Sequence, residues 1–359
     1  MKAIKHIFVL LNWVAALLLL ASTLAGMVRP AAFVGFSLLS YLFFPLLMVN
    51  VAFVVLWLLC GSKHFLVSTA VIVLRWSFVT AFFQVGGHAD QPAEGARTLR
   101  VMSFNMHHFY GPCYVDDTED IQNQEERALA FVRMLREEQP DVLCLQEFLP
   151  YTNGHEVDLR DSLAALGYRH YAAAAPQYGH SASIVWSKHD IVDVQLIDSL
   201  CKLRVDLAVE GDTVRLFSLH LNSYQLTGED HEELEMFAHG EGDKESGRQV
   251  ARKFKKTILA HDQEWETLRP LIEQSPYAVV VAGDFNDTPA SYIYRKMTQQ
   301  LRDSYKEKGK GFGTTYHGRF PAFRIDYVMH SEGLRVLAYK RIKSDISDHY
   351  PIMVEFEMD

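Results

Sequence analysis

The sequence predicts an α/β protein, a two-sheet α/β sandwich preceded by N-terminal transmembrane helices. Two observations lead to this fold class. Residues 1–87 contain five Lys or Arg and no Asp or Glu, and long uncharged apolar runs dominate them. From residue 98 onward, many short β-rich runs alternate with only a few helical ones. Many short strands with occasional helices between them favour two packed sheets over a regular doubly wound sheet.

Charge separates the two parts further. Beyond residue 87, 30 basic residues face all 44 acidic ones, so this part carries a formal charge of −14. A protein that binds nucleic acid by bulk attraction needs clustered Lys and Arg, and this balance argues against that class. The soluble part is long enough to bury its own core without a structural metal or disulfides. The four cysteines form no Cys-x-x-Cys pattern.

Three apolar runs predict the membrane region. Residues 7–28 and 31–60 are each long enough to cross a hydrocarbon core of ~30 Å. Residues 65–83 form a third run, but Arg75 near its middle costs about 2.5 to 3.5 kcal/mol on insertion. The sequence therefore predicts about three transmembrane helices, with two spans and a partly buried third segment as the alternative.

Basic residues in the short loops predict the orientation. Lys2, Lys5 and, after two crossings, Lys63 share one side against Arg29 on the other, which favours a cytoplasmic N-terminus. Three crossings then place the large domain in the periplasm or outside the cell. Three units are expected: a membrane region at 1–86, a polar tether at 87–97 and a soluble domain at 98–359.

The soluble domain shows nine strand patterns and fewer helical ones. The strands are predicted at residues 99–104, 142–146, 183–186, 205–209, 214–220, 278–282, 325–329, 334–339 and 353–356. Residues 121–138 predict an amphipathic helix, and Thr288-Pro289 predicts the start of another. Residues 223–275 are strongly charged and are predicted to be helical or irregular, with an interruption at 240–242.

Side chains that can bind a metal or move a proton recur at the ends of these strands, where active sites collect. They are Asn105, Glu147, His220, Asn222, Asp284, Asn286, Asp326, Asp348 and His349. An isolated Asp or His in such a place is more often a turn residue. Together, however, the motifs favour a catalytic site.

Three short motifs carry a resemblance to a known family: Leu-Gln-Glu at 145–147, Gly-Asp-Phe-Asn at 283–286 and Ser-Asp-His at 347–349. With these motifs in this order, the chain from about Leu99 to Glu357 resembles the endonuclease/exonuclease/phosphatase superfamily. That superfamily includes deoxyribonuclease I-like nucleases, abasic-site endonucleases, magnesium-dependent sphingomyelinases and inositol-phosphate 5-phosphatases. The resemblance implies a deoxyribonuclease I-like sandwich and a hydrolase that acts on phosphate ester bonds.

The resemblance also implies a metal site. Glu147 is expected to be the main metal carboxylate, with Asn105 and Asp348 completing or supporting an oxygen-rich shell. Mg²⁺ fits such a shell because it favours oxygen ligands, keeps several waters and binds substrate phosphate. Mn²⁺ is the alternative ion.

Five catalytic residues are implied in the same way. Asp284 is expected to orient or deprotonate the attacking water, and Asn286 to hold a phosphate oxygen with that water in line. Asp326 is expected to support His349, since a carboxylate behind an imidazole fixes its tautomer and raises its basicity. His220 is expected to lie across the phosphate and stabilise its charge or protonate the leaving oxygen. The implied chemistry is in-line attack of water on phosphorus.

One departure from the family pattern bears on the substrate. Abasic-site endonucleases place a tyrosine where His220 stands and usually an acid where His107 stands. A histidine at position 220 is closer to the deoxyribonuclease I, sphingomyelinase and phosphatase branches, so a base-excision function is disfavoured. Asn222, just beyond His220, is predicted to bind substrate.

Some polar residues are predicted to lie outside the site. Asp287 precedes Thr288-Pro289 and is typical of a helix cap. His261 lacks the close spacing of metal ligands and is predicted to lie on a solvated, charged face. A basic cluster predicts the wet face of a helix, with phosphate recognition as the alternative. It comprises Arg248, Arg252, Lys253, Lys255 and Lys256.

The sequence thus predicts a membrane-anchored, Mg²⁺-dependent phosphoesterase that hydrolyses phosphodiester bonds. Its expected partners are the lipid bilayer and a phosphate-ester substrate, either nucleic acid, a phospholipid head group or a small phosphate; no protein partner is predicted. One alternative is a phosphomonoesterase acting on lipid or inositol phosphates. Another is a non-catalytic, membrane-tethered binding module of the same fold, against which the full set of chemistry-bearing residues argues.

Overall fold

The computed structural model describes residues 2–110, 120–148, 158–174, 182–198, 201–318 and 323–358. The strands in these ranges are β1 (Phe83–Gln84), β2 (Arg97–Asn105), β3 (Val142–Phe148), β4 (His170–Ala174), β5 (Ala182–Ser187), β6 (Asp190–Asp198), β7 (Lys202–Val209), β8 (Asp212–His220), β9 (Ala278–Asp284), β10 (Arg302–Asp303), β11 (Gly311–Phe312), β12 (Asp326–His330), β13 (Leu334–Arg341) and β14 (Ile352–Met358).

The α-helices fall into an N-terminal group and a group that flanks the sheets. The first group is α1 (Lys2–Ala25), α2 (Pro30–Ser37), α3 (Phe43–Leu59), α4 (Phe65–Leu74) and α5 (Trp76–Phe82). The second is α6 (Asp120–Glu138), α7 (Leu159–Ala165), α8 (Gly228–His239), α9 (Lys244–Glu273), α10 (Tyr292–Gln300) and α11 (Ser304–Lys308). Short 3₁₀ turns at Leu38–Leu42 and His107–Phe109 complete the helical segments.

Twelve of the strands form two six-stranded sheets. The first sheet has the strand order β10-β12-β9-β8-β7-β6, and the second has the order β13-β14-β2-β3-β5-β4. Each sheet contains one parallel pair, β8 with β9 and β2 with β3, among antiparallel neighbours. Because the carboxyl ends of parallel strands meet at the same edge, these two pairs determine where the polar strand ends converge.

The side chains of β9 point alternately to the two faces of its sheet, and both faces are buried. Val280 and Ala282 join the apolar core between the two sheets, which also contains Val101 and Leu216. The intervening side chain of Val281 packs on the opposite face, in a cluster formed with α9 and α10. A strand places successive side chains on opposite faces, so an unbroken apolar run of this kind is typical of a central strand covered on both sides.

The predicted two-sheet α/β sandwich is confirmed, and each of the nine predicted strands lies within an observed one or overlaps it closely. The helix predicted at 121–138 is α6. The helix predicted to start at Thr288-Pro289 begins later, at Tyr292, because the Ser291 side chain caps it by accepting from Tyr294 N. The charged stretch forms the two helices α8 and α9, separated at Gly240.

Two N-terminal helical segments, Lys2–Ala25 and Pro30–Leu59, are long and apolar enough to cross a membrane. The predicted third span is not one straight helix, because α4 and α5 meet at Arg75 with a bend of 75°. If that bent pair counts as one span, the total is three. A mid-span arginine is expensive in hydrocarbon, which gives a physical reason for a break at this residue.

Buried polar side chains hold α1, α3 and α4 together. The Ser68 hydroxyl lies 2.6 Å from Asn12 Oδ1 and 2.8 Å from Asn50 Oδ1. The Asn50 amide also donates to Ala15 O at 3.0 Å. Hydrogen bonds of this kind between helices are typical of membrane bundles, where a polar group has few other partners.

The N-terminal helices pack directly on the sandwich. Ala290, which precedes α10, is buried in a cluster with Leu19, Phe43, Leu47 and Phe78. Arg324 Nη1 donates to Ala81 O at 3.0 Å, and β1 pairs with β11. Residues of the segment predicted to be a tether also contact the domain, since Asp90 N donates to Leu337 O at 2.8 Å. The helical region and the sandwich therefore share a continuous interface.

Candidate active site

The two parallel strand pairs bring the predicted site residues to one edge of the sandwich. His220 lies opposite Asp284 at the ends of β8 and β9. Asn105, at the end of β2, reaches across from the other sheet, and its amide donates to Asp284 Oδ2 at 2.9 Å and to Glu147 Oε1 at 3.3 Å. Asp326 begins the antiparallel strand β12 directly opposite Asp284. Asp284 is therefore the centre of the cluster.

A second contact fixes the orientation of the Asp284 carboxylate. The backbone N–H of Asn286 donates to Asp284 Oδ1 at 2.7 Å, while Asn105 occupies the other oxygen. The Asn286 side chain donates to Leu221 O at 3.0 Å, which links the residues that follow β9 and β8. Asp284 is 1% exposed, so both contacts act in a site nearly free of solvent.

His349 and Asp326 form a buried pair beside Asp284. His349 Nδ1 lies 2.9 Å from Asp326 Oδ2, and its Nε2 faces Asp284 Oδ2 at 3.9 Å. The second Asp326 oxygen has no hydrogen-bond partner within the described ranges. This arrangement leaves His349 Nε2 directed toward the centre of the cluster while Asp326 holds the ring from behind.

Two imidazoles flank the same carboxylate oxygen. Asp284 Oδ2 is 3.9 Å from His220 Nε2 and 3.9 Å from His349 Nε2. His220 Nε2 also lies 3.6 Å from Glu147 Oε1. These separations are too long for direct hydrogen bonds but suit an oxygen atom placed between the groups. The arrangement can therefore hold a water or a phosphate oxygen against one carboxylate and two imidazoles.

The electrostatics assign different protonation states to the buried groups. Burial, assisted by the charge of Asp326, raises the pKa of Asp284 to about 6. Burial acts to lower the pKa of His349, but the carboxylates of Asp326 and Asp284 outweigh it and hold that pKa well above its usual range. Asp284 is therefore a carboxylate poised near neutral pH, and His349 is an imidazolium.

Glu147 is the more accessible carboxylate of the cluster. Burial would raise its pKa, but the neighbouring His220, His107 and His349 hold the pKa of Glu147 below its usual range. Its side chain is 25% exposed, against 1% for that of Asp284. Glu147 therefore stays ionised and faces the open side of the cluster.

Two site residues adopt left-handed backbone conformations. Glu147 has φ +47° at the end of β3, where the pairing with β5 shifts register between Leu145 and Phe148. Asn286 has φ +50° just beyond β9. A bulge or a left-handed residue redirects a side chain at the end of a strand, and such strained positions are concentrated at functional sites.

Gly283 shows how closely β8 and β9 must approach. Its φ is +148°, and a Cβ at this position would lie 1.9 Å from Leu219 O. That atom belongs to the backbone of the neighbouring parallel strand, so it cannot move aside without disrupting the ladder. Only glycine allows Asp284 and His220 to lie side by side at this edge.

We therefore expect Gly283→Ala to destabilise the protein by about 3 kcal/mol, which corresponds to a fall of roughly 10 °C in Tm. Gly211→Ala is the matched control, because Gly211 also has positive φ, +95°, but no atom lies within 4 Å of its added Cβ. The control should lose only about 1 to 2 kcal/mol from backbone strain. Equal Tm values for the two variants, measured by thermal unfolding of the full chain, would contradict the proposed close contact.

The cluster offers donors for a divalent cation in two places. Asp284, Asp326 and His349 present ligand atoms within 4.8 Å of one another. Nearer the open side, Glu147 and Asn105 are in contact, and Asp348 Oδ1 lies 3.3 Å from His107 Nδ1. The inner triad already holds a proton on His349, whereas the outer group contains the Glu147 carboxylate, whose lowered pKa keeps it ionised. The donor set as a whole is rich in carboxylate and fits a hard cation such as Mg²⁺.

One predicted site residue is bound elsewhere. The Asn222 amide donates to Glu264 Oε1 at 2.8 Å, and Glu264 in turn accepts from Lys202 Nζ at 2.7 Å. Its side chain therefore contacts α9. The substrate contact expected of Asn222 stays a prediction.

Two residues predicted to lie outside the site are packed against it. His261 is buried within α9, not solvated, and its Nδ1 lies 3.0 Å from Asp287 Oδ2. Asp287 also accepts from Tyr41 Oη at 2.8 Å and does not cap the following helix. The spacing of His261 with Ile258 and Trp265 on the apolar face of α9 is a signal that could have identified it.

The basic cluster lies on an exposed face of α9. Arg248 and Arg252 both contact Glu245, and Lys253 pairs with Asp230 on α8. These contacts join neighbouring turns and the adjacent helix. They favour the wet face of an amphipathic helix over a phosphate-recognition surface.

Comparison with known proteins agrees with the fold. A model described as the endonuclease/exonuclease/phosphatase family matches residues 102–349, and one described as a domain of unknown function (DUF8431) matches residues 5–82. No curated protein matches the sequence.

Solved structures resemble the chain at low sequence identity. The human Nocturnin catalytic domain with bound sulfate anion has a TM-score of 0.50 and 17% identity, covering 73% of this chain and 95% of that chain. An endonuclease/exonuclease/phosphatase from Bacteroides vulgatus has values of 0.49, 18%, 73% and 99%, and one from Beutenbergia cavernae has 0.48, 20%, 73% and 72%. At these identities the similarity is one of fold alone.

Proposed function

Because the chain belongs to the endonuclease/exonuclease/phosphatase family, we propose that it is a membrane-anchored, Mg²⁺-dependent phosphodiesterase using in-line attack of water. The observation that carries the proposal is the convergence on Asp284 of groups that lie at or near the ends of separate strands. Asn105 and Asn286 bond to its two oxygens, and His220 and His349 flank one of them at 3.9 Å. Such a cluster can accept a proton from water and contact a phosphate group at the same place.

Asp284 is the proposed base. Its pKa of about 6 leaves it largely ionised at neutral pH, yet basic enough to accept a proton from water. Asn105 and Asn286 fix its two oxygens, so the direction in which it accepts that proton is set before substrate binds. The Asn286 side chain, predicted to hold a phosphate oxygen, is engaged with Leu221 O and supports this geometry.

The two histidines are proposed to contact the phosphate. His349 is an imidazolium held by Asp326, so its Nε2–H can donate to a phosphate oxygen and offset negative charge as it develops. His220, on the other side of Asp284, can donate to the leaving oxygen. These proposed roles of the two histidines are the ones that the family motifs imply.

Glu147, Asn105 and Asp348 would hold Mg²⁺ on the open side of the cluster. A bound Mg²⁺ would neutralise phosphate charge and polarise the phosphorus centre. The Asn105 amide nitrogen donates to Glu147 and Asp284, and its Oδ1 accepts from His107 N at 3.1 Å, so Asn105 would support this metal shell by holding the Glu147 carboxylate in place. Mn²⁺ is the alternative ion for the same donors.

The position of the site favours a phospholipid head group over the other two substrate classes. Ala290 follows Asn286 by four residues and lies against Gly26, just beyond the end of α1, since a Cβ on Gly26 would be 2.2 Å from Ala290 O. Four residues reach at most ~14 Å, so the reaction centre lies close to the end of that helix. The polar head groups of a bilayer occupy the ~7 Å beyond each side of its hydrocarbon core. A phosphodiester at that depth would be within reach of the site.

The proposal is tested by phosphate ester hydrolysis with the full chain in lipid nanodiscs. Substrates are bis-p-nitrophenyl phosphate, phospholipid in the same discs, duplex and single-stranded DNA, and inositol phosphates. We expect chelator-sensitive cleavage of the chromogenic diester that Mg²⁺ restores, and a preference for the lipid. Preferred cleavage of DNA would select the nuclease alternative, and release from monoesters alone the phosphomonoesterase. Intact substrates throughout, with Mg²⁺ bound to folded protein, would favour the binding module.

We further propose that three crossings place residues 98–359 in the periplasm or outside the cell. The ends of α1 and α5 both contact the sandwich, which supports an odd number of crossings between the N-terminus and the domain. Reporter fusions after residue 90 should therefore give an exported signal, and fusions after residue 62 a cytoplasmic one. A cytoplasmic signal from the fusion after residue 90 would refute this orientation.

A further inference from the structure

The buried Asp287 carboxylate joins three separate parts of the chain. Its Oδ1 accepts from Tyr41 Oη at 2.8 Å, and its Oδ2 lies 3.0 Å from His261 Nδ1 on α9. Asp287 directly follows Asn286, whose backbone N–H orients the Asp284 carboxylate. Asp287 is 4% exposed, so these partners replace solvent around a buried charge. The N-terminal helical region thus contributes a hydroxyl to the support of the active site.

The contacts close into a ring that ties the ends of β8 and β9 together. His261 Nε2 lies 2.8 Å from Asn222 O, two residues beyond His220. The Asn286 amide donates to Leu221 O at 3.0 Å. The ring therefore runs from Asn286 through Leu221, Asn222, His261 and Asp287 back to Asn286. Because Asn286 is left-handed at φ +50°, it needs surroundings that hold it in place.

Tyr41 is itself fixed in a small aromatic cluster. Its ring lies edge-on to Phe254 at 5.4 Å between centroids, and Phe254 stacks on Tyr224 at 4.5 Å. The Tyr224 hydroxyl bonds to that of Tyr41. A tyrosine here offers an apolar body for the cluster and one polar atom for Asp287.

A second contact at the same interface is independent of the ring. Arg29 Nε lies 3.0 Å from Asp262 Oδ2, and the Arg29 side chain is 52% exposed. The Asp262 side chain is buried, at 3% exposed, and the pair attaches the two regions without touching Asp287. A variant at Arg29 can therefore test the attachment of the helical region apart from the support that Tyr41 gives to the site.

We infer that the N-terminal helical region completes the active site, with Tyr41 as a positioning residue that acts through Asp287. Loss of the Tyr41 hydroxyl loosens Asp287, and the displacement reaches Asn286 directly and Asn222 through His261. The consequence is a misoriented Asp284, since Asn286 N–H no longer holds its Oδ1 in one direction. The catalytic part of this inference rests on the proposed function; the structural part does not.

The test compares Tyr41→Phe with Arg29→Gln in the full chain in nanodiscs. Tyr41→Phe should lower kcat on bis-p-nitrophenyl phosphate about tenfold with KM within about twofold, because a small displacement of a reacting group costs rate and not binding. Hydrogen exchange at the Asn286 amide should become about tenfold faster, as expected for the loss of one hydrogen bond to a charged group. Arg29→Gln removes the charge but keeps an amide that can donate to the buried Asp262, so it should change neither quantity by more than about twofold.

Each outcome decides the inference. Unchanged exchange at Asn286 in folded Tyr41→Phe, or an equal change in Arg29→Gln, would overturn it. Faster exchange with unchanged kcat would remove the positioning role. If the unmodified protein cleaves no substrate, the proposed function fails, and the exchange measurement still decides the structural part. Should Tyr41→Phe not fold, Asp287→Asn tests the same link from the other side and should give the same faster exchange.

Discussion

Asp284→Asn should lower kcat on a phosphodiester by about 10³-fold or more, while KM stays within a few fold. Asparagine keeps the shape of the side chain but cannot accept a proton from water. Asp284 is also the group on which the cluster converges, with Asn105 and Asn286 on its two oxygens. No other described carboxylate has both this orientation and a pKa raised by burial to about 6.

The measurement is steady-state hydrolysis of bis-p-nitrophenyl phosphate by the full chain with saturating Mg²⁺. Glu332→Gln is the control, because the Glu332 side chain is 89% exposed and pairs with Arg302. Its kcat should match that of the unmodified protein. An Asp284→Asn enzyme with more than a tenth of the original kcat would show that another group accepts the proton.

Asp326→Asn should lower kcat by about 10² to 10³-fold through its effect on His349. The Asp326 carboxylate holds His349 Nδ1 at 2.9 Å and contributes most to keeping that buried ring protonated. With the carboxylate replaced by an amide, the pKa of His349 would fall, because its largest raising charge is lost while burial still lowers it. A larger fraction of the rings would then be neutral and would offset less phosphate charge.

The pH profile of activity in Asp326→Asn should shift to lower pH. Activity that needs protonated His349 falls as pH rises through the raised pKa of that ring, so a lower pKa moves the falling limb to lower pH. Loss of the Asp326 charge also removes a cause of the raised pKa of Asp284, so the rising limb moves in the same direction. Imidazole ¹⁵N shifts provide a readout independent of activity. An unchanged profile and an unchanged His349 protonation state would contradict the assigned role of Asp326.

The sheets follow from local sequence more completely than the site does. Apolar runs such as 278–282 predict central strands because both of their faces are buried. The edge strands β4 and β6 were not predicted. β4 is rich in alanine, a weak strand former, and β6 carries charged residues and exposed Val192 and Val194. The edge strand β13 is predicted correctly, so an edge strand is missed where its sequence also lacks strand-forming residues on a buried face.

The catalytic residues could be located because they follow apolar strands, but their support could not. Asp287 belongs to an Asp-Thr-Pro sequence that is typical of a cap, and Ser291 takes the cap instead. His261 lies in a charged stretch, and its spacing with Ile258 and Trp265 indicates burial but not the residue that it contacts. Its partner Tyr41 comes from the N-terminal helices, far away in the chain. Such pairings depend on how distant elements pack, which no local spacing encodes.

The position of β14 in its sheet determines how late in synthesis β2 becomes paired on both of its edges. β14 lies between β13 and β2, so β2 has its parallel neighbour β3 early but gains its antiparallel neighbour only after nearly the whole domain has been made. Until then β2 presents an apolar strand edge, which is prone to aggregation. If the domain is exported, its chain must cross the membrane before this edge can close. Chaperones on the side of the membrane that receives the exported domain, and not ribosome-associated chaperones, would then protect the unfinished domain.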